Sequence, residues 1–253
     1  MDLGIVGRTA LVTGASAGIG VGVAECLARE GVRLALAGRN RDALENVGRR
    51  VTAYGAGAPV LITADVATEE GTAAIARTAL DAFGGRVDFL INNAGGSRPL
   101  QVDETEAFWQ EAHDLNFQSA RRLINTLVPS MKAARSGRII NITGAIFGRA
   151  VNGAGPSKAA LLAYSRALSF ELAPFDITIN CVAPGRINSA QILEKLHPTE
   201  ESRAEFIRQN IPAGRFGDPA DMGNLVAFLV SPLAAYINGA HIPVDGGAVR
   251  LAT

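Results

Sequence analysis

Thr9-Ala10-Leu11-Val12-Thr13-Gly14-Ala15-Ser16-Ala17-Gly18-Ile19-Gly20 decides the fold. The run Thr9–Val12 reads as a buried parallel strand, and Val21–Ala28 downstream reads as a helix. Between them Gly14 permits a tight turn, Gly18 lets the backbone approach a pyrophosphate, and Gly20 lets helix and strand pack closely. Phosphates would sit at the helix N-terminus, where free N–H groups and the dipole favour negative charge. A glycine-rich stretch alone is weak evidence; its strand–turn–helix setting gives it force. Gly14, Ser16, Gly18, Ile19 and Gly20 are therefore expected to bind a dinucleotide.

Composition narrows the remaining classes. The 253 residues suit one large α/β domain, and the 48% apolar content supports a sheet buried on both faces. Lys+Arg and Asp+Glu both total 24, which leaves no electrostatic footprint for nucleic acid or an anionic membrane. Cys26 falls in an expected helix and Cys181 in an expected strand, so both read as reduced core thiols. The N-terminal residues lack a basic region followed by a long apolar stretch, and no run approaches the roughly eighteen apolar residues of a membrane span. A soluble cytoplasmic protein is expected.

Strands and helices alternate along the chain. Strands are expected at Val32–Ala37, Val60–Ala64, Val87–Ile91, Arg138–Ile142, Ile177–Val182 and His241–Val244. Helices are expected at Arg41–Tyr54, Glu69–Phe83, Glu104–Ala134 with a bend at Pro129, and Pro156–Leu172 with proline at its first position. Asp218-Pro219-Ala220-Asp221 opens a further helix, with Asp218 as N-cap. This alternation implies right-handed crossovers and a Rossmann-type, doubly wound parallel sheet with helices on both faces, in a single domain over 1–253.

Several motifs in this order resemble the short-chain dehydrogenase/reductase family over nearly the whole chain, and its 3-oxoacyl-carrier-protein reductase-like members in particular. They are the glycine turn, Ala64-Asp65-Val66, Asn92-Asn93-Ala94-Gly95, Asn116, Lys158, Pro184-Gly185, Gly214–Pro219 and Val244-Asp245-Gly246-Gly247. The resemblance implies that Asp65, beside Val66, accepts a hydrogen bond from the adenine amino group; capping the next helix is the alternative. Asn92, Ala94 and Gly95, at the end of a central strand, let the backbone approach the cofactor ribose. Pro184, Gly185 and Ile187 hold the nicotinamide carboxamide, and Ser189 stands where the family often has threonine. After the second strand, Gly38 replaces the acid common in NAD users and Arg39 follows. A guanidinium there suits a 2′-phosphate, so NADP is expected over NAD; a solvated arginine leading a charged helix is the plainer alternative.

The family reduces carbonyls with a tyrosine as proton donor, a serine that holds the substrate oxygen, a lysine that binds the ribose, and an asparagine that positions a water. Lys158 and Asn116 match the last two. The tyrosine position is Ala154 and the serine position is Gly144, so the proton path must differ. Thr143, beside Gly144, and Lys158 are candidate replacements; Asn152, Ser157 and Tyr164 are further hydroxyl or amide groups nearby, with Tyr164 expected to point elsewhere. His113, three residues before Asn116, reads mainly as a packing residue. With Pro156 opening the helix and Gly155 outside it, restoring Tyr at 154 and Ser at 144 is not expected to rebuild a normal reductase.

Ala190–Pro212 is where the family carries its substrate lid, and apolar Leu193, Leu196, Phe206 and Ile207 among charges fit an amphipathic flap. Leu161, Leu162, Leu168 and Phe170 suggest pairing into a homo-oligomer, expected to be a tetramer. The leading expectation is an NADP-dependent oxidoreductase acting on a small carbonyl or alcohol substrate. Its rivals are a nucleotide-binding or scaffold protein without catalysis, and a lyase or isomerase on the same fold.

Overall fold

The computed structural model describes residues 1–96, 104–144 and 151–248. Seven parallel strands form one sheet: β1 (Thr9–Thr13), β2 (Arg33–Gly38), β3 (Val60–Thr63), β4 (Phe89–Asn92), β5 (Gly137–Ile142), β6 (Ile177–Pro184) and β7 (His241–Val244). Their spatial order is β3-β2-β1-β4-β5-β6-β7. The chain therefore winds outward from β1 in one direction, then returns to β4 and winds the other way. The reversal lies between β1 and β4, where Val12 pairs with Ile91. Open α/β sheets bind ligands outside the carboxyl ends of such a pair.

Both faces of the sheet are covered, so its strands are almost continuously apolar. Side chains alternate between two cores. Ala10 and Val12 of β1 join α1 (Gly18–Arg29), α2 (Arg41–Thr52) and α8 (Pro219–Val230) through Leu27, Leu44 and Val226. Leu11 faces the other core with α3 (Glu69–Ala82), α5 (Ser119–Ala134) and α6 (Ala154–Leu172) through Ile75, Leu127 and Leu172. Helices α1 and α8 touch backbone to backbone. A Cβ on Gly22 would lie 2.3 Å from the Pro219 carbonyl oxygen, and one on Gly223 would lie 2.5 Å from that of Gly22. Glycine is required at both positions. Cys26 and Cys181 are buried free thiols, and no described helix is long and apolar enough to cross a membrane.

Most expected elements are present, with three corrections. The stretch expected as one helix over Glu104–Ala134 is α4 (Glu106–His113), a π-helical turn over Asp114–Gln118, and α5. α5 runs through Pro129 without ending there. Helix α6 starts at Ala154, two residues before Pro156, so Pro156 is third and Gly155 is helical. The Asn152 side-chain oxygen accepts from the Ala154 amide at 2.9 Å and sets that start. The first four amides of a helix have no intrahelical partner, so proline's missing N–H costs nothing there. Asp65 does not cap α3: Thr68 does, its hydroxyl accepting from Gly71 N at 3.0 Å. The α8 start is as expected, with Pro219 first and the Asp221 carboxylate accepting from Asp218 N at 2.8 Å.

Candidate functional site

The turn between β1 and α1 is built jointly with the end of β4. The Thr13 hydroxyl accepts from the amides of Asn93 and Ala94, both at 3.1 Å. The Asn93 side-chain amide donates back to the carbonyls of Thr13 and Gly14 at 2.9 and 3.1 Å. Gly14 has φ +63°, and a Cβ there would strike Ala94 Cα at 2.9 Å. Gly18 has φ +54° and faces Ser189, whose Cβ would lie 3.3 Å from one on Gly18. No side chain caps α1 at Ala17, so its first amides stay available to an anion. Gly20 closes the turn, since a Cβ there would lie 2.2 Å from the Gly14 carbonyl oxygen. Ile19 opens α1 beside it. This is a cradle shaped for a dinucleotide, with the open glycine edge facing Ser189.

At the end of β2, Ser16 overhangs Gly38: a Cβ on Gly38 would lie 3.2 Å from the Ser16 hydroxyl oxygen. A Cβ at 38 would be tight against the Ser16 side chain, and Arg39, whose guanidinium is exposed, follows next in the chain. Its one charge partner among the described residues is Asp65, at 3.9 Å and solvent-exposed, a contact worth little. Asp65 itself accepts from Ala67 N at 2.9 Å, and Val66 is buried in the core.

Farther along the carboxyl edge, Lys158 and Asn116 meet at Gly95. A Cβ on Gly95 would lie 2.8 Å from Lys158 Nζ and 3.0 Å from Asn116 Oδ1. Asn116 also accepts from Gly96 N at 3.1 Å and donates to the Ala112 carbonyl at 2.9 Å. That contact falls within the π turn Asp114–Gln118, where a side chain competes with the backbone for a carbonyl. Lys158 donates to the Ile142 carbonyl at 2.7 Å. Burial lowers its pKa to about 8, opposed in part by the Cys181 thiol nearby.

Other candidates are turned away from this point. The Asn92 side chain lies inside the sheet, donating to Asn141, which donates to Ser165, each at 2.8 Å; its Oδ1 is buried without a partner among the described residues. Thr143 binds the Val182 carbonyl at 3.2 Å and lies 3.4 Å from His241 Nε2, which ties its hydroxyl to β6 and β7. Tyr164 reaches Asn125 at 3.1 Å, as expected of a residue pointing elsewhere. His113 stacks on Phe117 with ring centroids 5.0 Å apart and lies 3.4 Å from Ser157. Ala154 opens α6 one turn before Lys158. A Cβ on Gly144 would meet nothing within 4 Å among the described residues.

Beyond β6, Ile187 pairs in parallel with Gly217. That pairing uses the Arg186 carbonyl and the Asn188 amide, at 2.9 and 2.7 Å. The N–H and C=O of Ile187 consequently face the opposite side, where a carboxamide would need them. Gly185 approaches Asp245 so closely that a Cβ would lie 2.7 Å from its Cα, while its own amide donates to Val244. The segment that follows carries a π-helical turn, Gln191–Leu196, and α7 (Glu200–Asn210). Phe206 packs against His197 at 4.5 Å and Phe216 at 6.2 Å.

Two contributions were missed in the sequence. Asn93 was quoted only as part of a motif, although it laces the glycine turn. Arg186 carried no signal beyond its place between Gly185 and Ile187. Fold and site together define a nucleotide-binding α/β protein with a buried lysine–asparagine pair at the carboxyl edge of its sheet. The family profile described as enoyl-(acyl carrier protein) reductase matches residues 14–249. The chain belongs to the short-chain dehydrogenase/reductase family. It is 34% identical to the 3-oxoacyl-[acyl-carrier-protein] reductase FabG of Vibrio cholerae, over 97% of this chain and 98% of that one. It is 32% identical to the 7alpha-hydroxysteroid dehydrogenase of Escherichia coli, over 98% and 97% respectively. Among solved structures it resembles L-sorbose reductase from Gluconobacter frateurii, complexed with NADPH and L-sorbose, at TM-score 0.94 and 30% identity over the whole of both chains.

Proposed function

We propose that this chain is an NADP-dependent oxidoreductase acting on a carbonyl or alcohol substrate, with Lys158 in the proton-transfer role. The cradle of Gly14, Gly18, Gly20 and Ser189 fits a pyrophosphate, and the exposed Arg39 guanidinium, paired only loosely with Asp65, suits a 2′-phosphate. Solved relatives carry NADPH or NADP, which supports the same cofactor here. Ala94, Gly95 and Lys158 would hold the ribose, and Pro184, Gly185 and Ile187 the carboxamide. Bound there, the nicotinamide supplies the hydride. Segment 190–212 acts as the lid over the substrate.

The carrying observation is Lys158 Nζ. It is buried, reaches the edge of the site beside Gly95, and titrates near pH 8. A general acid works best with a pKa near the working pH. Its ammonium gives a proton to the developing alkoxide, and Asn116 fixes the Gly95-Gly96 backbone beside it. Ala154 and Gly144, at the positions where the family has tyrosine and serine, offer no proton. Thr143 is a poorer donor because its hydroxyl is already engaged with β6 and β7. The same two residues, Ala154 and Gly144, favour one second reading, a nucleotide-binding protein that does not turn over. We further propose that the chain is a homo-oligomer, a tetramer. Exposed Phe170 supports this, whereas Leu161 is core.

The test is NADPH oxidation, followed by absorbance, against a panel of ketones and aldehydes over pH 6–10. The acid is active when protonated, so the rate is full below about 8 and lost above it. Lys158→Met should abolish turnover. Tight NADPH binding with no oxidation on any carbonyl would favour the second reading.

A further inference from the structure

Arg186 sits in the stretch proposed to hold the carboxamide, with its side chain under the 190–212 segment. Its guanidinium carbon lies 5.0 Å from the centre of the Phe206 ring. Its Nε is buried without a hydrogen-bond partner, and no carboxylate pairs with it among the described residues. Neighbouring arginines are all occupied. Arg203 donates to the His197 and Pro198 carbonyls at 2.9 and 3.0 Å, Arg215 pairs with Asp221 at 2.8 Å, and Arg208 pairs with Glu205.

His197 lies against the same Phe206 ring, and its Nε2 is likewise buried and unpartnered among the described residues. Burial, with the charges of Arg186 and Arg203, holds its pKa below the ordinary histidine value. It is therefore a neutral imidazole at pH 7, able to donate one hydrogen bond. Arg186 stays charged. A desolvated cation without a counter-charge is costly to keep in a fold. Arg186 and His197 thus both lie against the Phe206 ring, each with a buried polar nitrogen that has no partner among the described residues.

We infer that Arg186 and His197 form an anion-recognition subsite, so that the substrate is a carbonyl compound carrying a carboxylate or phosphate group. The inference rests on the oxidoreductase reading for its location, and names the substrate class that reading leaves open. Arg186 presents a planar fork to paired oxygens, and Phe206 holds that fork in place.

Calorimetric titration of the protein, with and without NADPH, tests this using matched ketones. The probes are acetoacetate against methyl acetoacetate, and dihydroxyacetone phosphate against dihydroxyacetone. The charged member of one pair should bind at least tenfold tighter than its neutral partner, and the preferred pair tells carboxylate from phosphate. Arg186→Met should weaken the charged ligand roughly 10–100-fold and leave the neutral one within about twofold. Arg186→Lys should recover part of the loss. A merely structural role would lower affinity for both members together. Equal binding of charged and neutral ligands by the native protein, no binding of either charged ligand, or a Met variant that keeps the discrimination would each overturn the subsite. NADPH titrated alone tests the cofactor reading separately. If NADPH fails to bind, that reading falls, while the anion titration on the free protein still decides the role of Arg186.

Discussion

Replacing Lys158 with methionine should change the pH dependence of stability in a way that isolates the buried amine. Burial lowers the Lys158 pKa from 10.5 to about 8. Each pH decade of that depression corresponds to about 1.4 kcal/mol, so the folded protein carries the charged form at a cost of about 3 kcal/mol below pH 8. Between pH 8 and 10.5 the unfolded chain holds the proton and the folded chain does not. Stability must therefore rise with pH through that window. Integrating the two titrations from pH 7 to 9.5 gives a gain of about 2 kcal/mol. The Lys158→Met variant has no such gain, and the other titrating groups largely cancel in the comparison. Urea unfolding of both proteins at pH 7.0 and 9.5 measures the difference. The native protein should gain about 2 kcal/mol on the variant across that range. A gap that stays constant within about 0.5 kcal/mol would refute the desolvated lysine, and with it the poised acid.

Other outcomes follow from the same geometry. Arg39→Ala should weaken NADPH roughly 10–100-fold and leave NADH nearly unchanged, checked by fluorescence titration of both; equal losses would reject a 2′-phosphate contact. Gly144→Ser with Ala154→Tyr should raise carbonyl reduction, by up to about 10²–10⁴-fold if the new hydroxyl reaches the substrate, and steady-state rates on one ketone decide it. Gly22→Ala should destabilise the fold by about 1–3 kcal/mol, because its Cβ would press on the Pro219 carbonyl, and a thermal melt reads the loss.

The restoration prediction departs from the sequence expectation because its helix-start premise differs in the structure. Pro156 had suggested that Gly155 lies outside α6, which would misdirect a tyrosine at 154. Instead residues 154 and 158 lie one turn apart on the same helix, and a Cβ at 144 meets no described residue within 4 Å. Proline tells where a helix tolerates a missing amide, and that covers its whole first turn, so the start was ambiguous by two residues. The sheet was legible because buried parallel strands are continuous apolar runs and glycine is forced where the chain turns. The π turn at Asp114–Gln118 was not. Asn116, whose side chain donates to the Ala112 carbonyl, lies within it, and no hydrophobic period records such a contact. The side-chain contact of Asn92 was not legible either: it faces Asn141 within the sheet, and strand alternation near an end is hard to phase from sequence. Arg186 was missed because a partnerless charge is visible only once every neighbour's partner is known.

Asn93 carries a consequence for how the protein is assembled. The phosphate turn at residues 13–14 is fastened by a side chain about eighty positions later. An N-terminal fragment that ends before β4 would possess every glycine of the motif and still lack its latch. Such long-range closure completes late, after the intervening loops have lost their entropy. Nucleotide affinity should therefore emerge during refolding together with β4 docking, not with the first strand–helix unit. A nascent chain would gain its binding function only once the middle of the sheet had been made.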